Sequence, residues 1–267
     1  MQPPNPNAPD SPLQETYPED DPTWREILGG GDFGLEKMRS FFLRIPSNPR
    51  CKMCASPFGG VGGGVMRALW HAPSRNPLLC RACAGQLKKH PGGAQIDIAA
   101  LFADVRGSTA IAEEMSPVRY RNLLTGFYRV AWEAITSRDG IVDKYLGDGI
   151  MALFIPGITG EQFTARAVSA GQGLLAGVAS LPEPRLPVGA GIDFGNAWVG
   201  VVGTQVEQDF TALGDVVNVA ARLGSEANAG ELLVSSEAAR AAAVTSDATP
   251  HLIALKGRRQ PLEVISL

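Results

Sequence analysis

Val142-Asp143-Lys144-Tyr145-Leu146-Gly147-Asp148-Gly149-Ile150-Met151-Ala152-Leu153-Phe154 reads as two short strands folded back on each other. Asp-Gly is a strong hairpin signal, which places the turn over Gly147-Asp148-Gly149. Ile141, Val142, Tyr145 and Leu146 lie on one side of it, and Ile150, Met151, Leu153, Phe154 and Ile155 on the other. After Asp143, only Lys144 and Asp148 interrupt the apolar run. A solvated turn aspartate and a snorkelling lysine account for that pattern as readily as a site does. The flanking elements decide between the two.

Upstream, Ile98-Ala99-Ala100-Leu101-Phe102-Ala103-Asp104 is a buried strand ending in a carboxylate, and Val105-Arg106-Gly107-Ser108-Thr109 turns into a helix. Asp104 can cap that helix. Equally, the backbone N–H groups of the turn, with Ser108 and Thr109 at the helix start, form a cradle suited to phosphate. A second helix starts at Ser116-Pro117, keeps Leu123, Leu124, Phe127, Ala131, Ala134 and Ile135 on one face, and ends before Gly140. Downstream of the hairpin come an Ala-rich helix from about Glu161 to Ser180 and an expected antiparallel pair, Leu186–Asp193 with Ala197–Val202. Strand–helix–strand–strand–helix–strand is the split βαβ order of a ferredoxin-like α+β sheet with helices on one face. That topology sets the first strand beside the hairpin, so Asp104 and Asp148 converge. Two carboxylates without a nearby histidine suit Mg²⁺ or Mn²⁺, and two such ions can clamp both oxygens of a phosphoryl displacement.

Further on, Phe210-Thr211-Ala212-Leu213-Gly214-Asp215-Val216-Val217-Asn218-Val219-Ala220-Ala221-Arg222-Leu223 places Asn218 and Arg222 four residues apart, on one face of a helix with apolar neighbours. With this segment, residues 96–267 resemble a class III nucleotide cyclase homology domain. The resemblance rests on Phe102 through Thr109, on Lys144-Tyr145-Leu146-Gly147-Asp148, on Thr211 through Arg222, and on Gly230-Glu231-Leu232-Leu233-Val234-Ser235 with Leu255-Lys256-Gly257-Arg258. It implies that Asp104 and Asp148, helped by the Val105 carbonyl, bind two Mg²⁺ or Mn²⁺ ions. It further implies that Lys144 and Thr211 contact the base, Asn218 orients the ribose, Arg222 stabilises charge on the transferred phosphate, and Arg258 meets the terminal phosphates. Many members of the family carry Asp where this chain has Thr211. Lys144 can donate to adenine N1 and the Thr211 hydroxyl can accept from N6, so ATP is the expected substrate and cyclic AMP with pyrophosphate the expected products. A guanylate cyclase, or a nucleotide-binding pseudo-cyclase that signals by contact, is the alternative. The resemblance also implies sites shared across a head-to-tail homodimer.

The remainder of the chain is organised differently. Net charge is −3, yet ten Lys/Arg and no Asp or Glu lie between Lys37 and Ile96. That asymmetry marks a separate module. Residues 1–22 hold seven prolines, five acids and no base, a composition expected to stay disordered. Residues 23–46 read as a helical segment broken at Gly29-Gly30-Gly31, with Leu35, Met38, Phe41 and Phe42 at helical spacing and Pro46 as its stop. Over 47–92, Cys51-Lys52-Met53-Cys54 and Cys80-Arg81-Ala82-Cys83 are separated by 25 residues. Two such pairs form a zinc-ribbon-like tetrahedral site, because each pair places two thiolates on one knuckle turn. Structural Zn²⁺ is the first reading, with an iron–sulfur cluster and a redox dithiol as alternatives. The module is similar to cysteine-rich segments that precede catalytic domains in bacterial nucleotide cyclases. Trp70 and His71 are not part of any repeated aromatic–basic pattern, so docking on the acidic remainder is expected rather than nucleic-acid binding. No run of 18 uncharged apolar residues occurs and no signal pattern opens the chain, so a cytoplasmic protein without a membrane partner is expected. Residues 93–267 are the expected catalytic domain.

Overall fold

The computed structural model describes residues 20–30, 37–39, 41–42, 44–45, 47, 50–51, 53–68, 73–74, 79–89, 92–203, 208–245, 248–255, 257–258 and 260–267. The expected tail through residue 19, together with Leu35, Pro46, Lys52, Trp70, His71 and Lys256, lies outside them. The helices are α1 (Pro22–Gly29), α2 (Gly60–Ala68), α3 (Arg81–Lys89), α4 (Ser108–Glu113), α5 (Pro117–Thr136), α6 (Pro156–Thr159), α7 (Phe163–Ala179), α8 (Asp215–Glu226) and α9 (Ser236–Ala241). The strands are β1 (Gly93–Val105), β2 (Ile141–Tyr145), β3 (Gly149–Phe154), β4 (Val188–Gly203), β5 (Gln208–Leu213), β6 (Leu232–Ser235), β7 (His251–Ile253) and β8 (Leu262–Ser266). They form one sheet in the order β2-β3-β1-β4-β6-β8-β7, with β5 paired to β4.

The centre of this order, β2-β3-β1-β4, is the ferredoxin-like arrangement. β1 runs antiparallel to both β3 and β4, and its Ile98, Ala99, Ala100 and Leu101 are wholly buried. A strand covered on both faces reads as a continuous apolar run rather than an alternating one. Helix α5 starts where the sequence predicts: the Ser116 side chain accepts from the Arg119 N–H and Pro117 opens the helix. Its Phe127, Val130, Ala131, Ala134 and Ile135 are buried. Helix α7 is Ala- and Gly-rich because it comes close to the sheet. A Cβ on Gly171 would stand 2.9 Å from Leu232 Cδ1 and 3.3 Å from Ile192 Cδ1.

One expectation is corrected here. The pair expected at Leu186–Asp193 and Ala197–Val202 is one 16-residue strand, β4. Gly195-Asn196 suggests a turn, but β1 is long enough to hold it extended, with Ile98 opposite Gly195 and Asp97 opposite Asn196. The true return partner is β5, which pairs from Gly203↔Gln208 to Trp198↔Leu213. Helices α5 and α7 of the ferredoxin-like pattern pack together on one face, as expected, while α8, outside that pattern, lies on the other. Gly191 and Ile192 point to opposite sides of β4. Ile192 meets α7, whereas a Cβ on Gly191 would lie 2.1 Å from the Gly224 nitrogen of α8. Helix α8 therefore covers the other face.

The N-terminal segment shares this core. Trp24 and Leu28 of α1 are buried, the Trp24 ring stacks on Phe210 at 6.1 Å, and the Asp21 N–H donates to the Gly93 carbonyl. Arg39 joins the cysteine module to the sheet domain: it donates to the Met53 carbonyl at 2.8 Å and to the Ile158 carbonyl of α6 at 2.7 Å. Burial lowers its pKa, with Asp139 offsetting part of that. Among the described residues, no helix is long and apolar enough to cross a membrane.

Candidate active site

The hairpin tip and the end of β1 meet as expected. Asp104 is registered opposite Gly149, and the Val105 N–H donates to the Asp148 carbonyl at 3.1 Å. The turn itself differs in detail. Gly147 carries the left-handed backbone, at φ 83°, whereas Gly149 belongs to β3. A side chain at Gly149 would press on Asp104, since a Cβ there would stand 3.1 Å from Asp104 Oδ1 and 3.0 Å from the Ala103 carbonyl. Glycine at 149 thus eases the close approach of β3 to Ala103 and Asp104 rather than making the turn.

Asp104 is half-buried, and burial raises its pKa; Arg106 pulls it back and Asp148 pushes it further up. The two carboxylates therefore sense each other, and together they offer the hard oxygen set that Mg²⁺ or Mn²⁺ prefers. Arg106 donates to Asp104 Oδ2 at 2.6 Å and also to the Ser225 carbonyl at the end of α8. The reading of Asp104 as a helix cap does not survive: the residue capping α4 is Gly107, with φ 63°. Ser108 opens that six-residue helix and hydrogen-bonds Tyr120, whose pKa is raised by burial and then by Asp148 and Asp104. Thr109 is exposed beside it. Sequence reasoning missed Tyr120 and also Tyr128, whose hydroxyl donates to the Gly147 carbonyl. On a helix, both look like ordinary amphipathic aromatics.

Lys144 and Thr211 also come together, through a residue that sequence reasoning passed over. The Thr211 hydroxyl donates to Asp143 Oδ2 at 2.8 Å across 68 residues of chain, and Lys144 Nζ lies 3.4 Å from the same oxygen. Lys144 Nζ is also 3.5 Å from Asp209 Oδ2. Burial raises the pKa of Asp143, opposed by the Thr211 hydrogen bond and by Lys144. One signal was available: adjacent charges cannot both leave an apolar strand on one side unless it bulges.

Asn218 is exposed on α8 and Arg222 half-exposed. The Arg222 guanidinium reaches the β7–β8 connection, where a Cβ on Gly257 would stand 3.3 Å from its Nη2. Arg258 of the same connection donates to Asp215 Oδ2 at the start of α8, at 2.8 Å. Arg222 and Arg258 therefore lean toward the β8–β7 edge, opposite the β2–β3 edge that presents Asp148 and Lys144. A cavity of about 810 Å³ lies elsewhere, between the cysteine module and α5, bordered by Arg39, Arg50, Cys51, Arg129 and Arg138.

The four cysteines form a second centre. Their sulfurs all lie within 4.8 Å of one another, and Cys54 and Cys80 Sγ are 3.8 Å apart. Four sulfurs at ~2.3 Å from a tetrahedral ion stand ~3.8 Å from each other. The Cys80 N–H donates to Cys51 Sγ at 3.3 Å and the Cys83 N–H to Cys80 Sγ at 3.4 Å, which orients the sulfurs as outer hydrogen bonds do around metals. Cys80 is driven toward the thiolate by Cys51 first, then by Cys54 and Cys83. Cys83 is pushed the other way by the same crowding. A cation at the centre removes that competition.

Residues 93–263 match the family described as the adenylate and guanylate cyclase catalytic domain. An adenylate cyclase of Anabaena cylindrica is 36% identical over 131 residues, covering 46% of this chain and 26% of that protein. An uncharacterized protein of Mycobacterium tuberculosis is 27% identical over 190 residues, covering 69% of this chain and 34% of that protein. The matched regions thus span about a third or less of these curated relatives. Among solved structures, the guanylyl cyclase Cya2 superposes with a TM-score of 0.62 at 25% identity, over 66% of this chain and 93% of that one. The adenylyl cyclase CyaB of P. aeruginosa gives 0.57 at 26% identity, over 65% and 94%.

Proposed function

The chain belongs to the class III adenylate and guanylate cyclase catalytic domain family, and we propose that it is an adenylate cyclase, converting ATP to 3′,5′-cyclic AMP and pyrophosphate. The observation that carries the choice of ATP is the pairing of Lys144 with Thr211, held together through Asp143. A lysine donor beside a hydroxyl acceptor complements adenine, which presents an acceptor at N1 and a donor at N6.

In this reading Asp104 and Asp148, with the Val105 carbonyl, hold two Mg²⁺ or Mn²⁺ ions. When bound, those ions acidify the ribose 3′-hydroxyl and neutralise the triphosphate. Arg106 must release Asp104 for that to happen, and the Ser225 carbonyl keeps its guanidinium occupied. Ser108, Thr109 and the backbone of the α4 turn receive phosphate. Asn218 orients the ribose, and Arg222 supplies a cation where negative charge builds on the α-phosphate. Arg258 serves the terminal phosphates. Because Arg222 and Arg258 lean away from the carboxylates, two chains arranged head to tail complete two sites: Asp104 and Asp148 from one protomer, and Lys144, Thr211, Asn218 and Arg222 from its partner.

In the N-terminal module, Cys51, Cys54, Cys80 and Cys83 hold a structural Zn²⁺. The close spacing of the sulfurs supports a single tetrahedral ion over an iron–sulfur cluster.

The test is turnover of the full chain with ATP and with GTP in the presence of Mn²⁺, with products identified by mass spectrometry and Asp104→Ala as control. Cyclic AMP from ATP, absent in the control, is the expected result. Cyclic GMP as the main product would make the chain a guanylate cyclase. No product from either nucleotide would favour a nucleotide-binding pseudo-cyclase.

A further inference from the structure

We infer that Asp143 determines base specificity: it fixes the direction of the Thr211 hydroxyl proton, so that the site reads adenine and rejects guanine. This rests on the cyclase reading above and extends it to a residue that touches no substrate.

Three features of the local structure lead there. First, β2 is bulged. Its register against β3 shifts between Val142, opposite Ala152, and Lys144, opposite Met151. Asp143 is the extra residue, and a bulge turns two successive side chains toward one side where a regular strand would separate them. This is why Asp143 and Lys144 converge. Second, the Asp143 side chain is fully buried, and its Oδ2 takes both the Thr211 hydroxyl and Lys144 Nζ. Third, Asp143 Oδ1 is buried with no hydrogen-bond partner among the described residues. A buried carboxylate oxygen without a partner is costly and is kept in native structures for a reason. Here the carboxylate is held at a point where it commits two neighbours.

The consequence follows from counting protons. A threonine hydroxyl has one proton to donate and lone pairs that accept. A carboxylate only accepts, so the single proton of Thr211 must lie toward Asp143 Oδ2. What Thr211 shows the base is then acceptor only. Adenine offers the N6 amino donor at that position, whereas guanine offers the O6 acceptor. Two facing acceptors repel, and the hydroxyl cannot rotate to relieve the clash without abandoning Asp143. Lys144 is aligned by the same oxygen and adds the donor that adenine N1 needs and guanine N1–H does not. Threonine alone is ambiguous between the two bases; threonine with its proton fixed is not.

Asp143→Ala frees the hydroxyl to donate. Asp143→Asn keeps an oxygen for Thr211 and Lys144, with its amide nitrogen at the position now unpartnered, so it is the conservative variant. The experiment measures kcat and KM for ATP and GTP on the full chain. Alongside, it measures equilibrium binding of ATP and GTP α-thio analogues by calorimetry, with the melting temperature of each variant. In Asp143→Ala the ATP-over-GTP ratio of kcat/KM falls on the order of tenfold, mostly through KM, as expected for one hydrogen bond turned from repulsive to attractive. Asp143→Asn keeps the ratio within about twofold. In a Thr211→Val background, Asp143→Ala moves the ratio much less, through Lys144 alone. Equal losses for both nucleotides in Asp143→Ala would overturn the inference, since that is what a merely structural role gives. A wild-type chain that binds the analogues with adenine preference but makes no cyclic product would defeat the cyclase reading, and the binding ratios of the variants would still judge this one.

Discussion

Helix α8 is held at its working distance by one missing methyl group. Gly191 of β4 faces it, and a Cβ there would lie 2.1 Å from the Gly224 nitrogen and 2.5 Å from Leu223 Cβ. Both are parts of the helix that cannot swing away as a flexible side chain would. Opening the 2.1 Å approach to the 3.4 Å of ordinary contact requires roughly 1.3 Å of movement. Gly191→Ala therefore lifts α8 off the sheet by about that distance. Overpacking of this kind costs about 1–3 kcal/mol, which for a domain of this size lowers the melting temperature by roughly 2–12 °C. Helix α8 also carries Asn218 and Arg222, and a displacement of ~1 Å in a positioning element costs about a hundredfold in rate. Gly195→Ala is the control, because it faces the same helix with only Val216 Cβ at 3.7 Å and should change neither quantity. Calorimetric melting and ATP turnover of both variants make the comparison. Wild-type melting and turnover in Gly191→Ala, or equal damage in Gly195→Ala, would refute the close-packing argument.

Three further outcomes are expected. Burial pushes Asp193 from its ordinary 3.8 up to about 6, against the Ser235 hydroxyl that hydrogen-bonds it. The fold thus holds this proton more tightly than the unfolded chain, so Asp193's contribution to stability is full below about pH 4 and is lost as pH rises through about 6. The full span is worth on the order of 3 kcal/mol. Asp193→Asn should then melt higher than wild type at pH 8 and equally near pH 3, below the unfolded value of 3.8; one constant difference at both pH values would contradict this. Cys80→Ser should abolish the one zinc per chain measured by mass spectrometry of the intact wild type and lower its melting temperature. Metal-free wild type with unchanged melting would remove the structural zinc. Mixing Asp104→Ala with Arg222→Ala, each inactive alone, should restore partial cyclase activity, because one of the two sites in a mixed dimer is intact. Absence of any rescue would count against shared sites.

Much of the scaffold is legible locally. Ser116-Pro117 marks the start of α5 because capping and a proline at the first helical position are properties of two adjacent residues. β1 declares itself by an unbroken apolar run, and Cys51, Cys54, Cys80 and Cys83 by their spacing. Where reading failed, a distant partner had overruled a local signal. Gly195-Asn196 is a turn by propensity, yet it stays extended because β1 pairs along its whole length. The face that α8 covers is not legible locally, since it depends on Gly191 of β4 meeting Gly224 of the helix. Gly147-Asp148-Gly149 reads as the turn, yet Gly149 already belongs to β3 and packs closely on Asp104.

The same division holds at the site. Sequence alone supplies the inventory: the carboxylates at 104 and 148, Lys144 and Thr211, the Asn–Arg pair on one helix, and four thiols in two close pairs. Each is a matter of residue type and short spacing. How these groups are aimed is set by contacts made in the folded chain. The fold bulged β2 so that Asp143 joins Lys144 and carried Thr211 to it from 68 residues away. It also sent Arg222 toward the edge of the sheet opposite the carboxylates. Hydrogen-bond direction and side-chain aim depend on through-space neighbours, and sequence spacing carries no record of those until the sheet has closed.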